Sequence, residues 1–288
     1  MNIKTCLITG ANTGIGKAAA IQIAKEGYHV ILACRSKERG EIALEEVRKA
    51  SNSSSIELML VDLSLQSSIK DMVEKFRLQY DRLDVLIHNA AIFDITQKKV
   101  KYTKEGIESI WATNHLGPVL LTQLLLGSLK RSPQGRIITI SSKGLLAHPY
   151  LQVDLEDPEF RNRKFNVAKM YYQSKIAQVM YSYWLAKKLE KTNITVNSIR
   201  VTNVKVDLSR YPNLSNIEKL GYILKSKSSI TPEEMAKTYT YLATSNEVNE
   251  VTGKYYDEKN KMVRSSKYSY DFDNINRVMD VSMKFINM

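Results

Sequence analysis

Cysteine is nearly absent: the 288 residues include two, Cys6 and Cys34, too few for a disulfide framework. Both fall in short apolar runs, where a thiol serves as a small core side chain, and a reducing, cytoplasmic setting is expected. Long hydrophobic runs are lacking too, and none approaches the ~18 apolar residues of a membrane span. The opening Met1-Asn-Ile-Lys-Thr-Cys-Leu-Ile-Thr-Gly10 meets a glycine too soon for a secretion signal, which needs a longer apolar stretch and a cleavage site. The four histidines, His29, His88, His115 and His148, have no metal-ligand spacing. No nucleophile elbow is present, which argues against a Ser-His-Asp hydrolase. Acidic residues are in deficit, 30 Asp+Glu against 42 Lys+Arg, leaving a net charge of +12. The excess is scattered, with clusters at 98–104, 225–227 and 259–267. None carries an RNA-binding aromatic signature or a DNA-reading module, so no nucleic-acid partner is expected. A solvated basic surface that helps steer an anionic ligand fits better.

What is present is an ordinary globular balance of 43% hydrophobic and 25% charged residues, enough for one large core. Short runs rich in β-branched residues at 3–9, 28–34, 56–61, 85–88, 136–140 and 194–200 alternate with amphipathic stretches such as 16–26, 37–49 and 67–80. That alternation predicts an α/β fold with a doubly wound, mostly parallel sheet and helices on both faces. A short last strand at 254–256 brings the count to seven, and no linker or repeat divides the chain, so 1–288 reads as a single domain. Residues 201–230 read as a loop with short helices. Thr231-Pro-Glu-Glu then starts a helix, with Thr as N-cap, Pro at the first helical position and acids in the first turn.

The loop Thr9-Gly10-Ala-Asn12-Thr13-Gly14-Ile15-Gly16-Lys17 follows the first strand and opens the first helix. Glycines there let backbone N–H groups approach a pyrophosphate at the positive end of the helix. The spacing is Gly-x-x-x-Gly-x-Gly rather than Gly-x-Gly-x-x-Gly, and a plain tight turn would use glycines too, but the strand–helix junction favours a dinucleotide. The second strand ends Ala33-Cys34-Arg35-Ser36. An NAD-selecting acid is missing there, whereas a guanidinium can bind a 2′-phosphate bidentately. NADP(H) is therefore the expected cofactor. The alternative for Arg35 is a surface residue at a helix start.

Tyr171 and Tyr172 precede Lys175 by four and three residues, so either phenol could neighbour the ammonium on a helix. Together with the glycine loop, Asp62-Leu63, Asn89-Ala90-Ala91, Asn114-His-Leu-Gly117, Ser141-Ser142 and Tyr171-x-x-x-Lys175, the chain resembles the short-chain dehydrogenase/reductase family. It most resembles the retinol dehydrogenase-like and protochlorophyllide reductase-like branch, from residue 3 to about 200. The resemblance selects Tyr171 as general acid/base. A nearby ammonium favours the phenolate, and the phenol can then give or take the proton of a carbonyl or alcohol oxygen. Tyr172 would point about 100° away and pack, as would Tyr181, Tyr183 and Trp184.

The resemblance also implies that Ser142 holds the substrate oxygen, that Asn114 helps a water chain reach Lys175, and that Lys175 binds the nicotinamide ribose. Gly10, Asn12, Thr13, Gly14, Ile15, Gly16, Arg35, Ser36, Asp62, Leu63, Asn89 and Ala90 would line the cofactor. The family's Pro-Gly after the sixth strand is replaced by Val201-Thr202, and its carboxamide-holding threonine by Val206, leaving backbone groups of Val204 for that task. A positive φ at Thr202 would be costly, so the local backbone should differ.

The expected activity is NADP(H)-dependent oxidation or reduction of a small-molecule secondary alcohol or carbonyl, with lipophilic compounds among the candidates. The loops at 92–106, 143–167 and 201–230 would meet this substrate, with 217–224 either a lid or a packed helix. The Val201-Thr202 break also allows a redox-inactive, NADP-binding sensor or scaffold. The Tyr- and Met-rich helix at 168–191 would serve either the core or a homo-oligomer interface.

Overall fold

A computed structural model describes residues 3–205, 226 and 229–286. Seven strands form one sheet: β1 (Thr5–Thr9), β2 (His29–Cys34), β3 (Ile56–Leu60), β4 (Val85–His88), β5 (Gly135–Ser142), β6 (Ile194–Val201) and β7 (Lys254–Tyr256). Their order is β3-β2-β1-β4-β5-β6-β7, and every pairing is parallel. The order reverses between β1 and β4, and the crevice outside the carboxyl ends there is where such sheets bind ligands.

The central strands are buried on both faces, which is why they read as continuous apolar runs rather than as alternation. On one face lie α1 (Gly14–Lys25), α2 (Lys37–Ser51) and α7 (Pro232–Thr244). Ala18, Ala19 and Ala20 are buried in α1, and their small side chains let α7 pack closely against it. On the other face lie α3 (Gln66–Gln79), α4 (Ser109–Trp111), α5 (Gly117–Lys130) and α6 (Val167–Lys188). Each fully buried Leu, Ile or Phe in these layers contributes roughly 1.5–3 kcal/mol.

Several local expectations hold. Thr231 caps α7 in a reciprocal capping box: its Oγ1 accepts from Glu234 N at 3.1 Å while Glu234 Oε2 accepts from Thr231 N at 2.7 Å. That device is worth about 1 kcal/mol. Tyr181 and Tyr183 are buried and Trp184 is half-buried, so these aromatics of α6 face the core of their own chain.

Two expectations need correction. The serine pair does not follow β5 but belongs to it, because β6 runs on to Val201 and pairs Ser141 with Arg200 and Ser142 with Val201. The stretch after β7, which the sequence suggests is a tail following the helix and last strand of 231–288, is helical: α8 (Lys267–Tyr270) and α9 (Phe272–Phe285) fold back on α6, burying Ile275, Val278 and Met279. The 225–227 cluster (apart from Ser226), the stretch 217–224 and Val206 lie outside the described residues.

Candidate active site

The glycine loop turns where β1 ends. Gly10 and Gly14 have φ of +64° and +56°, and a Cβ on Gly10 would stand 2.9 Å from Ala90 Cα. A Cβ on Gly16 would fall 2.4 Å from Asn89 Nδ2. Glycine is thus required both for backbone conformation and for the approach of β4's loop. Thr13 is the N-cap of α1 but its side chain makes no capping bond, and the first turn carries no acid. The leading N–H groups of α1 are left for an outside acceptor, the arrangement that binds phosphate.

A cleft of about 650 Å³ opens here, lined by Gly10, Asn12, Thr13, Gly14, Ile15 and Gly16. Its far wall holds Arg35, Ser36, Asp62, Leu63, Asn89, Ala90 and Val204. All the residues expected to line a cofactor, apart from Tyr171 and Lys175, therefore share one cleft. Arg35 and Arg39 are exposed at its β2 end, and Ser36 Oγ caps α2 by accepting from Arg39 N at 3.3 Å. Asp62 Oδ1 is occupied by Ser64, accepting from its N at 2.9 Å and its Oγ at 2.7 Å, so it shapes the wall.

Asn89 is the knot of this wall. Its Nδ2 donates to Thr9 O at 2.9 Å and Gly10 O at 3.1 Å, and its Oδ1 accepts from the buried Tyr239 hydroxyl at 3.2 Å. Sequence reasoning missed Tyr239, which lies 150 residues away on α7 and has no local motif.

At the β6 end, Lys205 N donates to Ile230 O at 2.9 Å and Ile230 N to Asn203 O at 3.1 Å. This parallel bridge centres on Val204 and directs its own N–H and C=O to the opposite side. Thr202 is not among the positive-φ residues, so the loop takes the altered backbone its sequence requires.

The second half of the site is built on α6. Lys175 is buried, its Nζ donates to Ile140 O at 3.0 Å, and it sits 5.6 Å from the centre of the Tyr171 ring. Burial pushes the Lys175 pKa down to about 8. The opposite face of the neighbourhood is aromatic: Phe93 stacks on Tyr171 with centroids 4.2 Å apart and planes at 23°. Tyr172 packs as expected but half-buried rather than in the core, 4.5 Å from the His148 ring and 5.2 Å from Tyr171. Its hydroxyl fills the space a side chain on Gly144 would need, 2.4 Å from where a Cβ would stand. Phe93 was not foreseen, because a lone aromatic in a loop carries no periodic signal.

Asn114 sits in a π-helical turn, Ala112–Leu116, between α4 and α5. Such a turn inserts an extra residue and re-aims a side chain. Asn114 Oδ1 accepts from Ile92 N at 2.8 Å, and its Nδ2 donates to Ile92 O at 3.1 Å and to Ser174 Oγ at 3.1 Å. Ser174 Oγ in turn donates to Tyr171 O at 2.7 Å, so the bulge is tied to α6 next to Tyr171. His115 Nε2 meets Ser282 Oγ of α9 at 2.7 Å, which pins the bulge from the far side. Ser142 Oγ accepts from Gly144 N at 3.1 Å, starting the 3₁₀ turn Lys143–Ala147.

A model of the family described as short chain dehydrogenase matches residues 4–152. Retinol dehydrogenase 13 of Mus musculus is 35% identical over 257 residues, covering 88% of this chain and 75% of that protein. Retinol dehydrogenase 14 of Homo sapiens is 36% identical over 272 residues, covering 90% and 79%. The chain belongs to the short-chain dehydrogenase family. Among solved structures, a Mycobacterium paratuberculosis protein shares the fold of this short-chain dehydrogenase with a TM-score of 0.72, at 24% identity and with 98% and 92% of the two chains covered. A short chain dehydrogenase from Shigella flexneri complexed with NADP superposes with a TM-score of 0.69, at 21% identity and with 90% and 98% coverage.

Proposed function

We propose that this short-chain dehydrogenase is an NADP(H)-dependent oxidoreductase acting on a carbonyl or secondary alcohol, with Tyr171 as general acid/base. The observation that carries the reading is the buried Lys175 ammonium placed against Tyr171 beside a phosphate-ready cleft. The cradle fits a dinucleotide because its glycines leave no room for side chains and the α1 N–H groups are uncapped. The open N-terminus of α1 would hold the pyrophosphate, Arg35 the 2′-phosphate, and Lys175 the nicotinamide ribose. Backbone groups of Val204 would hold the carboxamide. The nicotinamide, when bound, supplies or accepts the hydride.

This chain's residues would manage the proton. Lys175 favours the anionic form of Tyr171 and thereby eases proton transfer to or from the substrate oxygen. Ser142 would hold and polarise that oxygen at the end of β5. Asn114, held by Ile92 and Ser174, would position the route by which solvent re-protonates Lys175. NADP selection is supported by Arg35 and Arg39 at the end of β2 and by the NADP complex of the Shigella flexneri structural neighbour. Retinol dehydrogenase relatives support a lipophilic alcohol or aldehyde as the substrate. A reducing, cytoplasmic setting is proposed as well, from the two cysteines in 288 residues.

The test is fluorescence titration with NADPH and NADH, followed by NADPH oxidation with aldehydes, ketones and quinones. NADPH-selective binding with turnover is the expected result. Selective binding without turnover would favour the redox-inactive sensor, and failure to bind either nucleotide would overturn both readings.

A further inference from the structure

A second cavity, of about 740 Å³, lies behind the catalytic-helix candidate α6 and shares no lining residue with the nucleotide cleft. Leu145, Ile176, Val179 and Tyr268 contribute apolar walls, and Arg200, Arg264 and Lys267 contribute three cationic groups. Arg200 is the inner one. Its side chain is 13% exposed, and its Nε is buried with no hydrogen-bond partner among the described residues. The nearest carboxylate, Asp257, reaches Arg200 Nη2 only at 4.0 Å. Asp257 faces Nη2 through Oδ2, while its Oδ1 accepts from Lys259 N and Lys261 N at 2.9 and 3.0 Å, so this long ion pair leaves Nε without an acceptor. Asp271, the carboxylate that lines the cavity, caps α9 by accepting from Asn274 N at 3.0 Å. The guanidinium therefore has an unmet donor at the inner end of an apolar chamber, with two more cations on its exposed rim.

We propose that this cavity binds a small amphipathic organic anion, an aliphatic carboxylate, with its head group on Arg200 and its chain along Ile176, Val179 and Leu145. An unpaired buried donor is costly, and a carboxylate that meets it while covering apolar surface relieves both deficits. Arg264 and Lys267 steer the anion to the entrance. The His148 ring, which lines this cavity, also contacts Tyr172, so an occupant lies one ring away from the neighbour of Tyr171.

The test is calorimetric titration of the full chain with decanoate and with decanol, each below its aggregation limit, with and without NADPH. Decanoate is expected to bind one site per chain at least tenfold more tightly than decanol, whether or not NADPH is present. Arg200→Met should weaken decanoate at least tenfold and leave decanol unchanged. The double variant Arg264→Gln/Lys267→Gln, confined to exposed positions, should weaken decanoate about threefold and flatten its salt dependence. It keeps the test decisive if Arg200→Met lowers the thermal midpoint. Equal affinity for acid and alcohol, indifference to both variants, displacement by NADPH, or no binding would each overturn the site.

Discussion

Lys175 Nζ lies 5.6 Å from the centre of the Tyr171 ring while donating to the Ile140 carbonyl at 3.0 Å. One ammonium is thus fixed between the end of β5 and the phenol on its own helix. Tyr172 contacts neither the ammonium nor the carbonyl in this way, and instead braces Gly144 and His148. Tyr171→Phe should therefore lower kcat by at least 10³-fold, consistent with the loss of a general acid/base, with NADPH affinity kept within a few-fold. Tyr172→Phe should keep kcat within about threefold. Steady-state kinetics on the same carbonyl substrate compares them directly.

Burial holds the Lys175 pKa near 8, below the free value of 10.5. The unfolded chain then binds more protons than the folded one between roughly pH 8 and 10.4. The buried charge destabilises the fold fully below that window, and the penalty fades as pH rises through it. Lys175→Met should raise stability at pH 7 by about 1–3 kcal/mol while abolishing turnover. Urea unfolding at pH 7 and 10 checks it, because the gain should shrink at the higher pH.

Glu108 is fully buried, its pKa raised to about 7 by desolvation first and the nearby Glu159 charge last. Its Oε2 accepts from Trp111 N at 2.7 Å, and Glu159 Oε1 accepts from Glu108 N at 2.8 Å. A raised carboxyl pKa means that stability is greatest below the unfolded value of about 4.3 and falls as pH rises to about 7. Glu108→Gln, which keeps an acceptor for Trp111, should raise the thermal midpoint at pH 8 and change it little at pH 4.5. Parallel thermal melts at the two pH values decide it.

Arg35→Ala should weaken NADPH binding by roughly tenfold to a hundredfold, the loss of a charge-assisted contact of about 1.5–3 kcal/mol, and leave NADH nearly unchanged. If both nucleotides weaken equally, Arg35 does not read the 2′-phosphate. Nucleotide titration of the variant supplies that comparison.

Tyr239→Phe removes one hydroxyl from Asn89 and leaves the core volume intact. Asn89 then holds Thr9 and Gly10 with one fewer constraint, and NADPH affinity should fall about threefold to tenfold, near 1 kcal/mol. The thermal midpoint should move by only a few degrees, so titration and melting together separate a positioning effect from loss of the fold.

The alternation of apolar runs and amphipathic stretches marked the seven strands, most plainly the central ones, because strands buried on both faces must be apolar throughout. Local chemistry also determined the turn at Gly10–Gly16 and the capped start at Thr231, where backbone conformation and short-range hydrogen bonds suffice. The Tyr171–Lys175 pair was legible as helical spacing, although resemblance rather than spacing chose between the two tyrosines. Tertiary structure alone decided that Tyr239 fastens Asn89, that Phe93 stacks on Tyr171, and that α9 returns to pin His115. It also decided that Ser142 both ends β5 and caps the 3₁₀ turn that follows. Each of these depends on a partner far along the chain or on the register of a neighbouring strand. Periodicity reports which face of an element is buried, but only packing determines what that face meets.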